Sequence, residues 1–210
     1  MNRNVSKKTA LLRAAKELFG EYGYAETTFK KISDRAGVAL GLLTHHYGNK
    51  EKLFLASGLD VLEHFLAHLQ AASAGAATGY DAVMRFCHAY LEFSIDPGSN
   101  WLVLVRCSPY SDMKTKTDRD LMDSRFARIH ELLAGLVVRG VADGSLVELD
   151  ADGTAQVIIS LLVGANRTRV LTPYAPPTLY EETLAFVSRS IRNTEAGASP
   201  LGGATPIAAR

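Results

Sequence analysis

A polar run at residues 44–46 carries the most informative chemistry in this sequence. Thr44, His45 and His46 supply a hydroxyl and two imidazoles, which can hydrogen-bond to base edges, and Leu42 beside them can contact a thymine methyl. Adjacent residues on a helix point about 100° apart, so the two histidines are poorly placed to chelate one metal ion together. We therefore interpret these four side chains as a surface that reads DNA bases.

Groups that suit phosphates flank this run. Lys30 and Lys50 offer ammonium groups, and Thr28 stands at a predicted helix start, where backbone N–H groups favour anions. Contacts of this kind fix the register of a protein on DNA but read no sequence. Leu40 and Gly41 begin the helix that carries the polar run, and the glycine permits close backbone approach.

Three helices must position these groups. The first is amphipathic, with an inward stripe at Leu11, Ala15, Leu18 and Tyr22, and it ends near Gly23. The second begins after Thr27 or Thr28 as N-cap and stops at Gly37; the third turns Leu43 and Tyr47 inward. Two short helices around a glycine-containing turn are the helix-turn-helix pattern. Spacing alone leaves two interpretations open, a DNA-binding module and a structural helical corner.

The N-terminal quarter of the chain is basic although the whole chain is nearly neutral. Residues 1–55 contain ten lysines and arginines and five acids, a formal charge of +5, so the remainder carries −4 of the chain's +1. A basic module joined to a mildly acidic body is typical of a phosphate-binding head. A solvated basic face gives the same count, so charge alone does not decide.

The run from residue 23 to residue 54 resembles the N-terminal signature of the TetR (tetracycline repressor) family. The matching residues are Gly23, Tyr24, Thr28, Ile32, Ala36, Gly37, Val38, Gly41, Leu43, Tyr47, Lys50 and Leu53. The resemblance covers about the first 55 residues, and beyond them only length, helical character and the final helix pair agree. It implies a homodimer that lays the third helix of each subunit in successive major grooves of a near-palindromic operator.

At positions 47 and 44 the sequence differs from the residues that the family has. Tyr47 takes the place of a buried phenylalanine in the family, which favours core packing for it, although its hydroxyl can still reach a phosphate. Thr44 departs from the family, which has an aromatic residue there that contacts phosphate. We assign that role to His45 or His46.

The remaining chain is predicted to be helical, so the fold class is all-α. A long helix over residues 50–70, capped by Asn49, carries a stripe at Leu55, Leu59, Leu62, Leu66 and Leu69, and residues 71–79 break it. Further helices are predicted at about 80–95, 100–111, 117–141, 152–171 and 178–192. We divide the chain into a helix-turn-helix DNA-binding domain (1–50), a helical ligand-binding and dimerisation bundle (51–193) and a disordered tail (194–210).

Polar and aromatic residues of the middle helices are candidates for binding a small-molecule effector. They are His88, Trp101, Arg106, Tyr110, Arg125 and Asn166, with Tyr90 and His130 beside them. Trp101, Arg106 and Tyr110 share one predicted helix and can line a cavity in which the positive charge of Arg106 binds an acidic ligand. For each residue, capping, an interhelical hydrogen bond or solvent exposure is the alternative.

The last two helices are predicted to form the dimer surface. Their apolar and small residues are Val157, Leu161, Gly164 and Thr168, then Leu184, Val187 and Ile191. Burial within one monomer would produce the same pattern, so the dimer is expected mainly from the need to bind two half-sites.

These features together favour a DNA-binding transcriptional regulator, a repressor released from its operator by a small molecule, and not an enzyme. There is no Gly-x-Ser-x-Gly, phosphate-binding glycine loop, His-Glu-x-x-His or Cys-x-x-Cys. A helical enzyme without a recognised motif and a protein-interaction module remain the alternatives. The sequence names neither the operator nor the effector, and activation stays open beside repression.

The sequence predicts no cofactor, no metal and no membrane segment. Cys87 and Cys107 lie in apolar helical patterns without metal-site spacing, and we interpret them as reduced core thiols, with a redox role for Cys107 as the alternative. No signal-peptide core or apolar run of about 20 residues is present, which predicts a cytoplasmic protein.

Overall fold

The computed structural model describes residues 6–106 and 115–194, which form helices joined by short connections. In chain order the α-helices are α1 (Lys7–Glu26), α2 (Phe29–Ala36), α3 (Leu40–Tyr47), α4 (Lys50–Ser73), α5 (Gly79–Ile95), α6 (Leu102–Arg106), α7 (Lys116–Ala142), α8 (Ala151–Leu171) and α9 (Leu179–Ile191). A short 3₁₀ turn, Pro97–Ser99, precedes α6. The predicted all-α fold is confirmed.

The predicted helix bounds match the observed ones closely at α5, α7, α8 and α9. The exception is the helix expected at 100–111, which in the described part of the chain covers only Leu102–Arg106. Residues 107–111, and with them Cys107 and Tyr110, lie outside the described residues. The predicted tail does so too, except for its first residue, 194.

The helices α1–α3 pack together into a unit that we call the head. Gly23 has a φ of 77°, which breaks the helical path of α1, and the chain then turns back toward α2. The buried Thr27 holds this turn, because its hydroxyl donates to the carbonyls of Leu18 (3.1 Å) and Gly23 (2.8 Å). Gly37, with a φ of 63°, ends α2 in the left-handed conformation that glycine favours.

The predicted inward stripe of α1 is wrong at Tyr22, whose side chain is exposed beneath the ammonium of Lys31. The inward aromatic residue is Tyr24, beyond the break at Gly23. Its ring centroid lies 6.0 Å from that of Phe19 and 5.1 Å from that of Phe54. The break therefore changes which face of the chain points to the core.

The long helix α4 joins the head to the body, which comprises α5–α9. Asn49 caps α4 by accepting the N–H of Lys52 at 2.9 Å, as its sequence position predicts. The leucine stripe is buried at positions 55, 62, 66 and 69 and half-buried at Leu59, where α4 packs against α1, α5 and α7. One continuous apolar core thus runs from the head into the body.

The thiol of Cys87 is part of that core. Burial raises the pKa of Cys87 to about 12, so the reactive thiolate is suppressed at neutral pH. In the described part of the chain, none of the helices combines the length and the apolar character that a membrane crossing needs.

Candidate nucleic-acid interface and effector cavity

The orientation of α3 is fixed by one fully buried side chain, that of Leu43. Thr44 and His45 are exposed on the other side, and Leu42 and His46 are half-buried beside them. Leu40, the first residue of α3, is 48% exposed. The helix therefore presents a hydroxyl, two imidazoles and an apolar side chain on one accessible surface.

Tyr47 is half-buried, and its hydroxyl donates to the carbonyl oxygen of Lys8 at 3.2 Å. Burial raises its pKa, so the phenol stays neutral. The contact ties the end of α3 to the start of α1. In this arrangement Tyr47 positions α3, which agrees with the expectation of a packing role, and its hydroxyl already has a partner.

Thr28 and Lys30 lie at the start of α2. The Thr28 hydroxyl accepts the N–H of Lys31 at 3.2 Å and so caps the helix. Lys30 pairs with Asp34 at 2.9 Å, but both side chains are well exposed, so the pair is weak and the ammonium can exchange it for a phosphate. Both residues are exposed near the helix N-terminus, where the helix dipole favours an anion.

Lys50, the first residue of α4, is half-buried and turns back toward the head. Its ammonium donates to the carbonyl of Tyr24 at 2.9 Å and lies 4.3 Å from the centroid of the Tyr24 ring. A weaker contact reaches the carbonyl of Ala25 at 3.5 Å. Lys50 thus braces the turn between α1 and α2, a role that its spacing in the sequence did not predict.

The body contains an open cavity that we call the aromatic groove, with a volume of about 670 Å³. It is lined by Phe65, Tyr90, Trp101, Asp123, Phe126, Ala127, Ile129, His130, Glu131, Gln156, Ile159 and Val163. These residues come from α4, α5, α7 and α8 and from the turn before α6. The volume is in the range of small-molecule binding sites.

Trp101 and Asn166 are the two predicted ligand residues that the structure brings together. The indole Nε1 donates to Oδ1 of Asn166 at 3.2 Å, and both side chains are buried. The amide nitrogen Nδ2 of Asn166 has no hydrogen-bond partner among residues 6–106 and 115–194. Trp101 lines the aromatic groove, whereas Asn166 does not.

Of the other candidates, Tyr90 and His130 also line the groove, whereas His88, Arg106 and Arg125 do not. His88 is exposed on α5 and pairs with Glu92 at 3.2 Å. Arg125 faces the opposite way along α7 and pairs with Glu63 at 3.2 Å. Tyr110 lies outside the described residues.

Arg106, predicted as a handle for an acidic ligand, is also placed elsewhere. It lines a separate cleft of about 930 Å³ between head and body. Its guanidinium donates to the carbonyl of Glu21 in α1 at 2.7 Å, so it joins the two units. No cluster of three or more His, Cys, Asp or Glu side chains suited to a metal occurs in the described part of the chain.

Comparison with known proteins places the N-terminal part of the chain in a single group. Residues 11–57 match the model of the family described as bacterial regulatory proteins, tetR family. The chain is 36% identical over 55 residues to the HTH-type transcriptional repressor AcnR of Corynebacterium efficiens, a match that covers 26% of this chain and 29% of AcnR. It is 30% identical over 140 residues to the HTH-type transcriptional regulator RutR of Escherichia coli O157:H7, which covers 64% of each protein.

The segment of residues 11–57 is therefore similar to the TetR family of bacterial regulatory proteins. In both relatives the match spans less than two thirds of the relative's own length. The fold is shared over a greater extent: the structure of AibR in complex with isovaleryl coenzyme A and operator DNA superposes with a TM-score of 0.73 at 16% identity, covering 88% of this chain and 98% of AibR. The fold shared with that structure therefore extends over both the head and the body.

Most of the residues that line the aromatic groove were not predicted from the sequence. Asp123, Phe126 and His130 are spaced by three and four residues, the pattern of a single face of α7, and Glu131 lies at the edge of that face. That periodicity was visible in the sequence, but only His130 was considered. Phe65 was not recognised as a lining residue because it occupies one of the apolar positions of α4. In the sequence it looks the same as the core residues of that helix.

Proposed function

We propose that this chain is a cytoplasmic transcriptional repressor that binds a near-palindromic operator as a homodimer and leaves it when a small molecule binds. Residues 1–50 form the DNA-binding domain and residues 51–193 the ligand-binding and dimerisation domain. The observation that carries the proposal is the surface of α3, where Thr44 and His45 are exposed while Leu43 anchors the helix from below. Side chains of these types recognise base edges in the major groove.

The ten predicted DNA contacts support this assignment, because none of them is buried. They are Thr28, Lys30, Leu40, Gly41, Leu42, Thr44, His45, His46, Tyr47 and Lys50. Thr28 and Lys30 serve phosphates, and the exposed residues of α3 serve bases. Tyr47 and Lys50 also hold α3 and the α1–α2 turn in place, since their polar atoms contact the backbone of the head.

The dimer is proposed to form through α8 and α9. Val157 is 60% exposed and Phe186 is 51% exposed, and both line an apolar groove of about 480 Å³ between these helices. Leu161 lies half-buried between them, and Gly164 leaves room for close approach of a second helix. Of the other predicted dimer residues, Thr168 and Leu184 are half-buried, whereas Val187 and Ile191 are buried in the monomer and lie beneath this surface.

Polar contacts provide the route by which a ligand in the body can act on the head. Arg106 contacts α1, and Lys16 of α1 pairs with Asp60 of α4 at 2.6 Å. In the proposed mechanism, an effector shifts the spacing of the two heads so that they no longer fit successive grooves. Such coupling is reciprocal, so operator DNA must weaken effector binding by the same factor.

The first test is selection of a randomised duplex pool by the purified protein at moderate salt. Recovery of an inverted repeat supports the dimeric regulator and supplies its operator. Recovery of no preferred sequence by the folded protein would contradict the assignment of the head and favour the enzyme or protein-interaction alternative. Reporter expression from the selected operator then separates repression, which is expected, from activation.

A further inference from the structure

The chemistry of the aromatic groove indicates which class of effector it accepts, an inference that rests on the proposed function. Its floor is built from aromatic rings in mutual contact. The ring centroid of Phe65 lies 4.7 Å from that of Trp101 and 5.0 Å from that of Tyr90, and Tyr90 and Trp101 are 5.7 Å apart. Phe126 of α7 adds a fourth ring to the lining.

Aromatic rings carry negative charge density on their faces and attract cations. The attraction is greatest where several rings are close together and water is largely excluded. Trp101 and Tyr90 are 6% and 4% exposed, so the floor is mostly desolvated. A neutral apolar molecule gains the burial of its surface here, whereas an organic cation gains burial and the ring electrostatics together.

The rim of the groove adds two formal negative charges. Asp123 and Glu131, both exposed on α7, are part of the lining. No lysine or arginine lines the groove in the described part of the chain. The arginines of the same stretch of α7, Arg125 and Arg128, turn away and share Glu63 at 3.2 and 3.1 Å.

We infer that the aromatic groove binds an organic cation, a molecule whose positive charge is carried by an apolar body. Its charge is held near the rings of the floor and balanced by Asp123 and Glu131 at the rim. An anionic effector meets two carboxylates and no lysine or arginine among the described residues that line this site. The acidic ligand expected from the position of Arg106 in the sequence is therefore not the class that this groove suits.

Two ions of the same shape and opposite charge test the inference, tetraphenylphosphonium and tetraphenylborate. The chain has one tryptophan, Trp101, which lines both the groove and the cleft that contains Arg106, so its fluorescence reports binding at either cavity and the rim variants below assign the signal to the groove. We expect saturable quenching by the phosphonium and an affinity for the borate at least about tenfold weaker. Equal or tighter binding of the borate would overturn the inference.

Two double variants test whether the carboxylates at the rim of the groove are responsible for phosphonium binding. Asp123→Asn with Glu131→Gln should weaken phosphonium binding by about tenfold, because two carboxylates near the site are neutralised. Glu92→Gln with Glu148→Gln removes the same charge from exposed positions outside the groove and should change the affinity little. Equal losses in the two double variants, with helicity unchanged by circular dichroism, would show that the rim carboxylates play no specific part and would contradict the inference.

Operator binding separates this inference from the proposed function. Release of the protein from a selected operator by the phosphonium, but not by the borate, supports both. If the protein binds the operator but the phosphonium does not quench Trp101 fluorescence, the cation site is contradicted and the proposed regulator function is still supported. Quenching of Trp101 with no sequence-specific DNA binding supports the cation site and overturns the regulator.

Discussion

The ammonium nitrogen of Lys52 lies 2.7 Å from one carboxylate oxygen of Asp118 and 2.8 Å from the other. The contact joins the first turn of α4, which directly follows the head, to the first turn of α7 in the body. Glu51 strengthens the same junction by accepting the N–H of Thr115 at 3.3 Å. α7 also carries one wall of the aromatic groove, so this junction links the groove to the helix that bears the head.

Replacing Asp118 with Asn should destabilise the protein in a pH-dependent way. The hydrogen bond from Lys52 holds the pKa of the buried Asp118 carboxyl below its usual range. A lowered pKa stabilises the fold above the ordinary value near 4, and this contribution is lost as pH falls through the lowered pKa. At pH 7 we expect Asp118→Asn to cost about 1 kcal/mol, since Lys52 is half exposed.

Urea unfolding at pH 7 and pH 3 measures the effect, at one fixed protein concentration. The difference between wild type and Asp118→Asn should shrink at pH 3. Asp120→Asn is the control, because Asp120 forms an exposed pair with Lys116 within α7 and should cost little at either pH. A gap of the same size at both pH values would show that ionisation of Asp118 does not stabilise the fold.

Lys50→Ala should weaken binding to all duplexes by a similar factor. The change removes a positive charge beside the proposed interface and the contacts of Lys50 with Tyr24. We expect the slope of log affinity against log salt concentration to become shallower by about one unit. Titrations at several salt concentrations measure it, with Lys116→Ala in the body as control. An unchanged slope would remove Lys50 from the phosphate contacts and leave only its bracing role.

Much of the head could be predicted from the sequence because its signals are local. Thr28, Gly37 and Asn49 act at the helix ends where capping chemistry places them, and each involves neighbours within a few residues. The inward direction of Leu43 follows equally from helical spacing. Tyr22 was misplaced because periodicity assumes an unbroken helix, and the left-handed Gly23 interrupts it.

The effector site could not be predicted in the same way because it depends on long-range packing. Phe65, Trp101 and Phe126 come from different helices, and nothing in their spacing shows that they meet. Arg106 and Arg125 were chosen for their charge, yet both find partners on other elements, Glu21 and Glu63. In a sequence, a charged side chain that pairs with another helix cannot be distinguished from one that binds a ligand. The distinction requires the fold.

Phe186→Asp should convert the proposed dimer into a monomer. Phe186 lies at the surface of the apolar groove between α8 and α9, and burying a carboxylate there against a second subunit is costly. Light scattering coupled to size exclusion measures the mass, and the cooperative binding of an inverted repeat should be lost with it. Tyr174→Asp is the matched control, since Tyr174 is 77% exposed and lies outside that groove. An unchanged mass for Phe186→Asp would place the dimer contact elsewhere.

His45→Ala should alter which base is preferred at one position of each half-site. His45 is exposed on α3, and loss of a base contact changes discrimination by about 1–3 kcal/mol at the position that it reads. Selection from a randomised pool with the variant protein shows the change directly. His88→Ala, an exposed histidine on α5, should leave the preference unaltered. A uniform loss of affinity across all sequences would instead make His45 a backbone contact.

The hydrogen bond between Trp101 and Asn166 should be visible as coupling in a double-mutant cycle. Trp101→Phe leaves the buried Asn166 amide without its indole donor, and Asn166→Leu leaves the indole N–H without an acceptor. Each single change therefore costs a lost contact and an unpaired buried polar group, on the order of 2 kcal/mol. The double change removes both polar partners, so it should cost less than the sum of the single changes, with a coupling of about 1 kcal/mol.

Urea unfolding of the four proteins at one concentration gives the cycle. Strict additivity would mean that this hydrogen bond contributes nothing to stability, and that Trp101 is held by ring packing against Phe65, Tyr90 and Phe93.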